Sequence, residues 1–189
     1  MAPNEPDLGP KPSLLRPTVA HRDDRLFSHT PAPAALRDEL LSAFSDAAGL
    51  YAVLGARETW QIHAPWADTY RAHYDPVVWQ RLSAARALTP ATIADAETRH
   101  ARLLATWKNY FAHHDFLVLP GSPCAALTKP KCQTANRTRL LSLTAPVSLA
   151  GLPALALPVT LPSGLTAALQ VVTPHATGPV FPTLLAQWE

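Results

Sequence analysis

The spacing of apolar residues changes once along this chain, and the change limits what it can fold into. From Leu36 to Phe111 apolar side chains return every three or four positions. From Phe116 onward they stand in short unbroken runs closed by Pro, Gly or Ser. The first pattern is the stripe of an amphipathic helix, and the second suits a strand buried on both faces. Helices first and strands later, with a long helix leading straight into a buried strand, predict an α/β or α+β protein.

Residues 1–34 hold seven prolines and little periodicity, and read as an extended arm or linker ahead of a domain over 35–189. Leu36, Leu40, Phe44, Ala47, Tyr51 and Leu54 predict one continuous helix that Gly55 ends. A second helix is expected over Glu58–Tyr70, interrupted by Pro65, and a short third from Asp75-Pro76. Thr89-Pro90 is a helix entry, a hydroxyl cap followed by proline in the first turn. The long helix it opens carries Ile93, Ala96, His100, Leu103, Trp107 and Phe111 on one face. Strands are expected at Phe116–Leu119, Ala154–Val159 and Ala167–Val172, the last two joined by a tight turn at Ser163-Gly164. Helical character is expected over 131–143 and Pro182–Trp188.

Composition narrows the function. Apolar residues make up 48% and charged residues 16%, which suits either a well-buried α/β protein or a chain whose surface another body covers. A net charge of +2 with scattered Lys and Arg offers no nucleic-acid stripe. The longest apolar runs fall far short of a membrane span, and no secretory leader is expected, which makes the cytoplasm with reduced thiols the default. Cys124 and Cys132 lack a Cys-x-x-Cys knuckle and read as loop or buried thiols. Adjacent His113 and His114 point about 100° apart on a helix, so helix-end roles are favoured over a shared metal. His63 and His73 read as packing or surface residues, and no metal or cofactor is expected.

Several blocks stand in a telling order: His114-Asp115-Phe-Leu-Val-Leu-Pro120-Gly-Ser-Pro123, then Thr144-x-Pro146-x-Ser148-x-x-Gly151-x-Pro153-Ala154-x-x-x-Pro158, then Gly164-Leu-Thr-Ala-Ala-Leu-Gln170. In this order they resemble the second half of the amidase signature hydrolases, with Trp60–Arg81 also similar to bacterial members; the resemblance spans about 35–189. Ser148 replaces the usual Asn, and Thr160 and Ala168 replace glycines. The resemblance implies part of an α/β/α sandwich with helices packed on a mixed sheet, and cofactor-free hydrolysis of small carboxamides. Thr144, Pro146, Ser148, Gly151, Pro153 and Pro158 are then structural motif positions. The connection before Thr144 lines the substrate pocket in this family, which makes Arg137, Arg139, Leu141 and Ser142 pocket candidates, an arginine suiting a carboxylate or amide. Read without the resemblance, Lys129, Lys131, Arg137 and Arg139 suit a solvated loop.

The resemblance also implies what is missing. The family acts through two serines and a lysine base, beside a Gly/Ser-rich loop that stabilises the oxyanion, all supplied by its first half. None of Lys11, Lys108, Lys129 and Lys131 is followed by such a loop; Lys11-Pro-Ser13 lies in the proline-rich arm without preorganised donors. No catalytic residue carries over. The expectation is an amidase C-terminal part that is inactive alone. The alternatives are a non-catalytic binding or assembly protein, a homodimer included, and one half of a split amidase joined by the missing half.

Overall fold

The structure is a computed structural model that describes residues 18–20, 29–31 and 33–187. Most of the expected arm, Lys11 and Ser13 included, lies outside these residues, as does Trp188 of the expected final helix. The elements run β1 (Thr18–Ala20), β2 (His29–Pro31), α1 (Ala34–Phe44), α2 (Ala47–His63), α3 (Pro76–Ala84), α4 (Pro90–Phe111), β3 (Leu117–Pro120), α5 (Thr134–Leu149), β4 (Ala154–Thr160), β5 (Thr166–Val172) and α6 (Val180–Gln187). The strands form one sheet in the order β2-β1-β3-β5-β4. The α/β expectation holds, but the sheet is not mixed: every pairing among the described residues is antiparallel. For β4 and β5 the hairpin is the reason, because a three-residue loop between Leu161 and Leu165 can only return the chain antiparallel. Gly164, at φ 76°, supplies the left-handed residue that this loop requires.

Cross-strand partners place Leu117, Leu119, Gln170, Val172 and Ala156 on one face and Val118, Leu169, Val171 and Leu157 on the other. Helices α1, α2, α4 and α5 close the first face around Leu40, Leu50, Leu103, Trp107, Tyr110, Leu117, Val147 and Val172. Helix α6 closes the second, with Val180, Phe181 and Leu184 against Phe116, Leu157 and Val171. The result is three layers, helices on both sides of a sheet. Trp107 lies between Phe44 and Phe111, ring centroids 4.9 and 5.5 Å away, and donates its indole N–H to the Pro146 carbonyl at 3.0 Å. One side chain thereby joins α1, α4 and α5.

The stripe expected as one helix from Leu36 to Leu54 is two. The chain breaks at Ser45–Asp46, where the Ser45 amide and hydroxyl both turn back to the Ser42 carbonyl. Ser and Asp compete with the helix for backbone groups in this way. Gly55 does not end a helix. The space beside its Cα is open, and α2 continues through it to His63, where turns begin before Pro65. Glycine inside a helix costs only about 1 kcal/mol, which the packing of α2 on α4 and α5 exceeds. The helix expected over 131–143 runs instead from Thr134 to Leu149, carrying the Thr144 block with it. Thr89 caps α4 as its sequence predicts, its hydroxyl accepting from the Thr92 amide at 3.1 Å.

Candidate functional site

The end of α5 explains the glycine of the Thr144 block. Gly151 adopts φ 61°, its amide donates to Ser148 and the Leu152 amide to Val147. This pair of bonds is the Schellman closure, which satisfies two carbonyls the helix leaves open and needs a residue without a Cβ clash. Pro146 is fully buried inside the helix, Thr144 returns its hydroxyl to the Leu140 carbonyl, and Ser148 is exposed. The Pro153 carbonyl accepts from the Thr173 amide at 3.1 Å, fixing the start of β4.

Gln170 fixes the floor. Its side chain is buried and its amide nitrogen donates to the Pro120 carbonyl at 3.0 Å and the Leu143 carbonyl at 2.7 Å, so β5 holds both the end of β3 and the middle of α5. Beyond β3 the Gly121 amide donates to Ala168 at 2.7 Å, and the Ser122 hydroxyl accepts from the Ala168 amide at 3.0 Å. A Cβ on Gly121 would stand 3.2 Å from that of Ala168 and 3.3 Å from the Leu169 backbone, a tight approach that glycine relieves.

Between this turn, the first half of α5 and the turn-side half of the β4–β5 hairpin lies a cavity of about 720 Å³. Its walls are mostly small and apolar, among them Ala125, Leu127, Ala156 and Ala168. Its polar groups are Ser122, Cys124, Cys132, Gln133, Asn136, Arg137 and Thr166. The volume and lining suit a small, largely apolar ligand held by a few polar contacts. Two of those groups are tied locally: Asn136 donates to the Lys131 carbonyl at 2.8 Å and Gln133 to the Pro130 carbonyl at 3.3 Å.

Of the four pocket candidates only Arg137 lines this cavity. Arg139, Leu141 and Ser142 do not, and the Ser142 hydroxyl instead donates to the Arg139 carbonyl at 2.7 Å. Helix geometry accounts for the arginines, since residues two apart point about 200° apart and cannot share a wall. The lining residues Gln133, Asn136, Arg137 and Leu140 sit at helical spacing, so the face was readable once α5 was known to be one helix. Sequence reasoning passed over Cys124 and Cys132 as lining residues; both are free thiols, Cys132 exposed and Cys124 half-buried.

No lysine, histidine or carboxylate lines the cavity with Ser122. Lys108 is on α4, and Lys129 and Lys131 stand exposed in the turn before α5. Among the described residues no three His, Cys, Asp or Glu come together to hold a metal ion, and no helix is long and apolar enough to cross a membrane. His113 hydrogen-bonds the Asn109 carbonyl through Nδ1 at the end of α4, and His63 Nδ1 pairs with the Tyr74 hydroxyl at 2.8 Å.

The amidase family model matches residues 42–178. Among solved structures, an amidase is similar over 70% of this chain and 32% of its own, with 26% identity and a TM-score of 0.63. A chain from a vestigial protein complex, described as revealing the origins of an s-triazine catabolic enzyme, has the same fold with 18% identity and a TM-score of 0.63 over 78% of this chain and 36% of its own. So does a bacterial aryl acylamidase of the amidase signature family, with 12% identity and a TM-score of 0.55 over 76% and 37%. No curated protein matches. The chain spans only about a third of the length of these solved chains.

Proposed function

Because the chain belongs to the amidase family, we propose that it supplies the substrate-pocket wall of a carboxamide hydrolase and does not turn over amides by itself. The observation that carries this reading is the cavity beneath α5, an apolar chamber with Arg137 on its wall and a single serine. Hydrolysis of an amide needs an activated nucleophile with a base within hydrogen-bond reach. The Ser122 hydroxyl meets neither demand, since no base lines the chamber with it and it already accepts the Ala168 amide. The chamber is therefore assigned to binding: the apolar part of a carboxamide against Ala156 and Ala168, its polar end toward Arg137.

The test uses the purified chain with benzamide and hexanamide. The expected outcome is no hydrolysis above buffer, together with saturable binding that slows alkylation of Cys124 and Cys132, the two thiols on the wall. Arg137→Ala weakens binding of a carboxylate-bearing analogue by about tenfold, as for loss of one charge-assisted hydrogen bond, and Arg139→Ala leaves it unchanged. Turnover abolished by Ser122→Ala would overturn the non-catalytic part. Alkylation rates indifferent to either amide at millimolar concentration would remove the pocket assignment.

A further inference from the structure

We infer that the outer edge of β4 is the docking strand for a second polypeptide carrying the part of an amidase that this chain does not match. The inference rests on the proposed function and names the surface through which a nucleophile-bearing part joins.

The hairpin's hydrogen bonds determine which backbone groups of β4 face outward. The Thr173 amide donates to the Pro153 carbonyl, and the Leu161 amide to the Leu165 carbonyl. With Ala154 opposite Val172, the residues bonded to β5 are then Leu155, Leu157 and Val159. The N–H and C=O groups of Ala154, Ala156 and Thr160, and the Pro158 carbonyl, point away from the hairpin. No strand among the described residues pairs with them. Pro158 falls in the outward set, where a missing N–H costs the hairpin nothing. It also sets the limit of any added strand, which finds donors at Ala154 and Ala156 and none at Pro158.

The side chains agree. Ala154, Ala156 and Pro158 are exposed on the sheet face that α1, α2, α4 and α5 otherwise cover, and Ala156 and Pro158 continue into the cavity wall. Unpaired backbone beside small apolar side chains, with no charge on the strand, is a surface that invites another strand. The similar amidase is matched over only 32% of its own length, and the unmatched part of such an enzyme is the occupant proposed for this edge.

The experiment co-expresses this protein with the unmatched part of that amidase, so that neither piece has to fold alone, and follows co-purification and residue-resolved amide exchange. In the isolated chain the Ala154 and Ala156 amides exchange much faster than those of Leu155 and Leu157; in the complex they become protected. The double variant Ala154→Pro with Ala156→Pro keeps the protection of Leu155 and Leu157 and weakens the complex about thirtyfold, the loss of two ordinary hydrogen bonds. A complex equally tight with the variant overturns the docking strand and leaves the proposed function standing. Absence of any complex overturns the partner. A dimer of the chain alone that the variant abolishes puts a second copy on the edge instead. Slow Ala154 and Ala156 exchange in the isolated chain, released by deleting residues 1–17, puts the chain's own N-terminal segment there.

Discussion

Two buried polar side chains show how single residues hold this molecule. Tyr110 donates its hydroxyl to the Phe116 carbonyl at 2.9 Å, and burial pushes its ionisation above the usual range of a phenol. A raised value in the folded state means that this contribution to stability is complete below about pH 10, the ordinary tyrosine value, and is lost as pH climbs toward the folded one. Denaturation midpoints are therefore expected to fall above about pH 10, and Tyr110→Phe to remove that component while costing about 1 kcal/mol at neutral pH. Gln170 carries more. Gln170→Ala leaves the Pro120 and Leu143 carbonyls without this donor and is expected to destabilise by about 3 kcal/mol in urea unfolding. The sequence marked Gln170 only as part of a motif; its role depends on two carbonyls 50 and 27 residues away, which no local pattern reveals. The arginines were half legible, because Arg137 and Arg139 look equivalent until the helix beneath them assigns opposite directions.

Elements were easiest to read where capping and period agree. Thr89-Pro90 announced α4, and the Pro-Ser-Gly turn announced the β4–β5 hairpin. They were hardest where one local preference had to be weighed against packing: Gly55 looked like an end and is a helix interior, while Ser45-Asp46 looked like interior and is a break. The close of α5 gives the sharpest test at this scale. With Gly151 at φ 61°, Gly151→Ala is expected to cost about 1–2 kcal/mol, and Gly151→Asn less, since Asn tolerates the left-handed region. Thermal midpoints of both variants equal to that of the unaltered protein would show that the closure contributes nothing. Gly55→Ala, by contrast, is expected to raise stability by about 1 kcal/mol, with helical conformation and open space both available.

At the scale of the molecule, the α/β class followed from the single change of apolar period and the layers from the family resemblance, while the cavity followed from neither. The cavity is made where a turn after β3, a helix and a hairpin converge, and only the topology brings those segments together. That topology also governs synthesis. Strand β3 pairs with β5, whose Gln170 anchors a carbonyl 50 residues back. At ordinary translation speeds a ribosome needs roughly 3–10 s to make the intervening stretch. Leu117, Val118 and Leu119 leave the ribosome that long before their main partner strand follows. A nascent chain of this kind therefore presents an apolar strand to the chaperones of the cell before its own sheet can claim it, and slowing translation across α5 would lengthen that exposure.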